Sequence, residues 1–194
     1  FKPSKMIYVV GNEQIYHFDV LKKALQKLGF EWYNKIFHLS YGMVELPEGK
    51  MKTREGKVVD ADDLIDEMYI TAKKITSELG KNNDMDEKKS DELYNTIGLG
   101  ALKYFILKVA PKKNMLFNPD ESIDFNGNTG PFIQYTYARI NSLLNKAETI
   151  GLKPEINDIN FNISTTEKNL IKTLRDFKNI IAQAAEELDP SVIV

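Results

Sequence analysis

Apolar residues recur with two different periods along this chain. Met6-Ile7-Tyr8-Val9-Val10 is a short apolar run that stops at Gly11-Asn12, the pattern of a buried strand. Val20, Leu21, Ala24, Leu25 and Leu28 then recur at helical spacing, and Gly29 provides a stop. Residues 36–41, Ile-Phe-His-Leu-Ser-Tyr, read as a second strand. Strand, helix and strand over this length make one βαβ unit, which requires a parallel pair. Two strands do not make a stable parallel sheet, so the rest of the sheet is expected to come from elsewhere.

Beyond residue 60 the helical period takes over. Asp60 is a good N-cap, with Asp62, Asp63 and Asp66 complementing the positive helix end. Leu64, Met68, Ala72, Ile75 and Leu79 mark one apolar face, closed by Gly80. Polar residues 81–89 read as a loop or hinge. The next helix is expected from about Ser90 to Val109, ended by Pro111, with Gly98 and Gly100 inside it. Each glycine costs a helix roughly 1 kcal/mol, and such glycines commonly admit another backbone. Residues 115–117 suggest a short strand, and 120–130 a turn-rich loop. Pro131 fits the first helical position of an amphipathic helix running to about Ile150. A linker at 151–163 contains Pro154. Ser164-Thr165-Thr166-Glu167 is a capping box opening a last helix, whose face is Leu170, Leu174, Phe177, Ile181, Ala184 and Leu188. Asp189-Pro190 ends it. These last two helices have few expected partners for their apolar faces.

Composition narrows the class. The 194 residues are 42% hydrophobic and 28% charged, as in an ordinary globular sequence. A net charge of −2 means that any nucleic-acid contact must use local patches. The chain has no cysteine, which removes disulfides and thiolate metal sites. No apolar run reaches the roughly 18 residues of a membrane span. The start at Phe1-Lys2-Pro3 and the apolar end at Val192-Ile193-Val194 create the expectation of a piece of a longer protein.

Three groups of residues could carry chemistry. Between Gly49 and Gly56 lie Lys50, Lys52 and Arg54, with Lys57 just beyond, a glycine-bounded cationic loop suited to phosphates. A solvated surface hairpin is the plain alternative. Gln14 and His17 stand where the first strand gives way to its helix, and ligands in open α/β sheets bind just beyond the carboxyl ends of strands. His17 could equally pack the helix start, and His38, inside a strand, reads as structural. Asp60, Asp62 and Asp63 are better explained as helix capping than as a metal cluster, and no metal site is expected.

Several tracts resemble the arginyl-tRNA synthetase family of class I. They are residues 9–18 (Val-Val-Gly-Asn-Glu-Gln-Ile-Tyr-His-Phe), residues 39–44 (Leu-Ser-Tyr-Gly-Met-Val) and residues 49–56 (Gly-Lys-Met-Lys-Thr-Arg-Glu-Gly). Downstream, residues 97–104 (Ile-Gly-Leu-Gly-Ala-Leu-Lys-Tyr) and the tract from Asp124 to Ile140, with Asn126-Gly127-Asn128-Thr129-Gly130-Pro131, are similar to the same family. All five occur in the family's order.

The resemblance implies a fold and a set of roles. Residues 1–80 would be the C-terminal part of a Rossmann-type α/β catalytic domain. Residues 81–130 would be an intermediate helical region, and residues 131–194 the start of an α-helical anticodon-binding domain. The reaction implied is arginine plus ATP, with Mg2+, to arginyl-adenylate and pyrophosphate, then transfer to tRNA(Arg). Gln14 would contact arginine and His17 would lie by ATP. Gly42, Met43 and Val44 would present backbone groups to the adenine edge. Lys50, Lys52, Thr53 and Arg54 match the KMSKS position, where preplaced cations stabilise charge on the leaving pyrophosphate. The class pattern has lysine where this chain has Thr53, so Lys50 and Lys52 come before Arg54 as phosphate contacts. The family's HIGH motif is absent from these residues. A cytoplasmic, monomeric parent enzyme is implied, with no membrane attachment and an inactive isolated piece, whose apolar helix faces favour self-association. The rival reading is a non-catalytic RNA- or protein-binding module of the same fold.

Overall fold

The computed structural model describes residues 3–46, 49–50, 60–78, 86–153 and 162–194, with the side chains of Leu46, Gly49 and Lys50 outside that description. Leu79, Gly80, Pro154, the 81–85 part of the expected hinge and most of the cationic loop also lie outside it.

The chain opens with strand β1 (Met6–Gly11), a single 3-10 turn, helix α1 (Ile15–Lys27) and strand β2 (Ile36–Tyr41). β1 and β2 pair in parallel, from Met6 opposite Ile36 to Gly11 opposite Tyr41, so the expected βαβ unit is present. Gly29, at φ +80°, takes the left-handed conformation that releases the chain from α1. α1 covers one face of the pair: the Phe18 ring stacks on His38 at 4.2 Å and lies 5.3 Å from Tyr8. The opposite face is more open than a buried strand should be, with Val9 63% and Ile7 44% exposed. The period correctly located the strand. Its burial depends on a second covering layer, and among the described residues only part of that face is covered.

Next come β3 (Val44–Leu46) and β4 (Gly49–Lys50), an antiparallel hairpin. β3 also pairs in parallel with β5 (Met115–Leu116), giving the order β4-β3-β5. Strands of two or three residues are too short to show a period, so only β5 was foreseen.

The core lies in the helices. α2 (Ala61–Glu78) packs along α3 (Glu87–Leu107), and the single turn α4 (Pro119–Ser122) closes one end. Leu64, Met68, Ala72, Ile97, Ala101, Leu102, Phe105, Phe117 and Ile123 are buried together, Phe105 and Phe117 meeting edge-to-face at 5.2 Å. Gly98 permits the α2–α3 approach: a Cβ there would lie 2.8 Å from the Met68 carbonyl oxygen. Across the same pair the Tyr69 hydroxyl donates to Asp91 at 2.6 Å. α3 starts three residues before Ser90 because the Asp86 carboxylate accepts from the amides of Lys88 and Lys89, making Asp86 the N-cap.

α5 (Gly130–Thr149) lies against α3, with Thr129 as N-cap and Pro131 in its first turn. α6 (Thr165–Glu187) begins at the expected capping box. The outward faces of both helices stay open, with Tyr137, Leu143, Leu144 and Leu174 each at least 60% exposed. The fold is therefore a small parallel α/β unit followed by a larger helical region. No described helix is long and apolar enough to cross a membrane.

Candidate functional site

The parallel pairing puts the carboxyl ends of β1 and β2 side by side, with Gly11 opposite Tyr41. Everything that follows either strand therefore emerges at one edge of the unit. After β1 come the Asn12–Gln14 turn and the first residues of α1. Gln14 is half-buried at the N-cap of α1 and makes no side-chain cap bond. His17, one turn into the helix, is exposed, its ring edge-on to Tyr16 at 6.1 Å. His38 faces α1 instead, its Nε2 3.0 Å from the Val10 carbonyl, so its role is structural.

After β2 comes the Gly42-Met43-Val44 tract, gripped by the turn that joins α3 to β5. The Gly42 amide donates to the Pro111 carbonyl at 2.7 Å, and the Met43 amide to Asn114 Oδ1 at 2.8 Å. The Met43 carbonyl accepts from the Met115 amide at 2.9 Å, and the Glu45 carbonyl from Phe117 at 2.7 Å. Glycine is required at 42, because a Cβ would sit 2.6 Å from the Asn114 amide nitrogen and closer still to the Lys113 carbonyl. The amides of Gly42 and Met43 are thus engaged within the chain. The ligand-facing capacity of the tract narrows to its remaining backbone groups.

Beside this tract lies an apolar cavity of about 370 Å³. Val9 and Leu39 from the open sheet face, Val44, Ile106, Pro111 and Met115 contribute to its wall. The wall is almost wholly apolar, which suits a flat apolar ring face.

The hairpin carries the chain from this tract to the cationic loop. Lys50 pairs with Glu45 across β3 and β4, one residue from Val44, so the backbone of the loop starts next to the tract. The Lys50 side chain, Lys52, Thr53 and Arg54 lie outside the described residues. The chain returns at Asp60, which holds the N-cap position of α2: its carbonyl accepts from the Leu64 amide at 3.1 Å, and its Oδ1 from the adjacent Ala61 amide at 2.8 Å. Among the described residues no group of three or more His, Asp or Glu side chains is placed to hold a metal ion.

The Asn126–Gly130 tract does structural work. The Asp124 carbonyl accepts from the Thr129 hydroxyl, its carboxylate accepts from the Asn126 amide, and Tyr104 donates to Asn128. Gly130 then seats α5 on α3, a Cβ there meeting the Gly100 carbonyl at 2.5 Å. Sequence reasoning missed Asn114, whose contact to Met43 spans 71 residues and leaves no local signal.

Comparison with known proteins adds to this geometry. Residues 1–118 match the family model for tRNA synthetases class I (R), catalytic domain, and residues 133–194 match the DALR anticodon binding domain. An arginine–tRNA ligase of Phocaeicola vulgatus is 60% identical over 98% of this chain, and one of Bacteroides fragilis is 60% identical over 97%. The match covers 32% of each of those proteins, so the chain spans about a third of their length. Among solved structures, the arginyl-tRNA synthetase of Thermus thermophilus superposes with a TM-score of 0.81 at 31% identity, over 98% of this chain and 30% of that one. The enzyme from Plasmodium falciparum gives 0.66 at 26% identity, over 94% of this chain and 30% of that one.

Proposed function

This chain belongs to the class I arginyl-tRNA synthetase family, and we propose that it is the part of an arginine–tRNA ligase that holds the adenine side of the adenylate site and the base of the anticodon-binding domain. The observation that carries this reading is the match, at 60% identity over nearly all of this chain, to about a third of the length of proteins with that activity. Residues 1–80 then form the C-terminal part of the catalytic domain, 81–130 an intermediate helical region, and 131–194 the beginning of the anticodon-binding domain.

The parent reaction joins arginine and MgATP, then passes the arginyl group to tRNA(Arg). Gln14, beyond the end of β1, orients arginine through its amide, and His17 lies beside ATP. The tract Gly42 to Val44 meets the adenine edge with the backbone groups that the α3–β5 turn leaves open. Lys50, Lys52 and Arg54, with Thr53 between them, offset the charge that builds on pyrophosphate as it leaves. Preplaced cations of this kind lower the barrier without reorganising during the reaction. A cytoplasmic location and a monomeric parent complete the proposal.

The test is arginine-dependent ATP–pyrophosphate exchange in the presence of tRNA(Arg). The full-length protein is expected to turn over. The 194-residue chain alone is expected to show none, because positioned groups in such sites act as a unit. Exchange supported by another amino acid in preference to arginine would overturn the reading.

A further inference from the structure

We propose that Asn114 is a positioning residue for ATP: its side chain sets the backbone of the adenine-facing tract from the far end of α3. The inference rests on the function proposed above and adds a residue to it.

The argument starts from what holds the tract. Met43 leaves β2 before β3 begins, so sheet pairing alone does not fix its amide. That amide is held by Asn114 Oδ1 at 2.8 Å. The neighbouring Gly42 amide is held by the Pro111 carbonyl, and the Met43 carbonyl by the Met115 amide, so the turn grips both sides of one peptide stretch. Asn114 is the side-chain member of this grip. Pro111 and Met115 act through their backbones, which substitution barely changes. A main-chain element that reads a ligand through its own polar groups depends on the direction in which those groups point. Losing the Asn114 bond frees the Met43 amide to rotate toward solvent and misdirects the groups of the tract that remain open. Asn114 is exposed, so water takes over part of the lost bond and the effect stays moderate.

The test uses the full-length protein with Asn114→Ala and Asn114→Asp. Aspartate keeps an oxygen that accepts the Met43 amide. In arginine-dependent exchange with tRNA(Arg), Asn114→Ala is expected to raise the KM for ATP about threefold to tenfold. Its KM for arginine, kcat and melting temperature should stay near those of the unaltered protein, and Asn114→Asp should restore the ATP value. An unchanged ATP KM in Asn114→Ala overturns the proposal. So does a parallel rise of the KM for ATP and for arginine with a fall in kcat, which would mark general disruption, or a failure of Asn114→Asp to restore. Absence of exchange in the unaltered protein instead overturns the function itself, and this role with it.

Discussion

Met68, Ala72, Ala101 and Phe117 are fully covered between α2, α3 and β5, whereas Ile7 and Tyr41 are each 44% exposed and Val9 63% on the sheet face away from α1. The strand run from Met6 to Val10 is apolar at every position, whereas α2 is apolar along one face only, yet it is the helix pair that is covered. The helix pair closes on itself because α2 and α3 are near neighbours in the chain and a glycine lets their backbones meet. The strand pair is served by one helix and needs a second layer on its other side. The carboxyl ends of the strands are also where the proposed ligand-facing residues Gln14, His17 and Gly42 to Val44 lie.

The largest effect expected from this contrast is at Phe117. Phe117→Ala removes a fully buried ring that meets Phe105 edge-to-face, and should cost about 3–5 kcal/mol in urea unfolding. Val9→Ala in the 194-residue chain should change stability by no more than about 0.5 kcal/mol. The same Val9→Ala substitution in the full-length protein sharpens the comparison. A cost above about 1 kcal/mol there would show that the remainder of the proposed parent protein covers this face. Equal costs for Phe117→Ala and Val9→Ala in the short chain would break the distinction.

Gly98→Ala comes next. Helix propensity alone favours alanine by roughly 1 kcal/mol. Its Cβ would lie 2.8 Å from the Met68 carbonyl and 3.1 Å from the Tyr69 amide nitrogen, both backbone atoms that cannot swing aside. Overpacking of this kind costs about 1–3 kcal/mol, so the net change should be destabilising, read as a lowered urea midpoint. A raised midpoint would mean that α2 and α3 are free to separate, and that the core is looser than the strand unit it is compared with.

The helical region was the more legible of the two because its signals are local. Asp60, Thr129 and the Ser164–Glu167 box act within a few residues of themselves, and Leu64, Met68 and Ala72 repeat on one face. The start of α3 was misplaced only because Asp86 sits in a polar run that masks a cap. The strand region carries non-local information. β3 finds β5 across some seventy residues, and the Met43–Asn114 bond is of the same kind. For the site, spacing located Gln14, His17 and the basic loop, and the resemblance supplied their roles. Neither indicated that the amides of Gly42 and Met43 are engaged by the chain itself, since that depends on a turn brought close by the fold.

The smallest expected effect separates α6 from the core by pH. Hydrogen bonds from Ser164, its hydroxyl first and its backbone amide second, hold the Glu167 carboxyl below the ordinary glutamate value. The Ser164 amide donates to Glu167 Oε2 at 2.8 Å, and the Glu167 amide donates back to the Ser164 hydroxyl at 3.2 Å. A carboxyl whose value is depressed on folding stabilises the folded form above its unfolded value. That contribution fades as pH falls through the folded value. The α6 start should therefore be intact at neutral pH and loosen in acid, below the ordinary glutamate range, while the α2–α3 core, held by apolar packing, stays closed over the same interval. Helical circular dichroism together with amide exchange at residues 165–168 would register the change. Glu167→Gln should flatten the pH dependence at those amides and leave the Ser164 cap of the Glu167 amide in place. Amide exchange at α3 that rose in step with α6 would show that the two regions open together, and would undo the comparison.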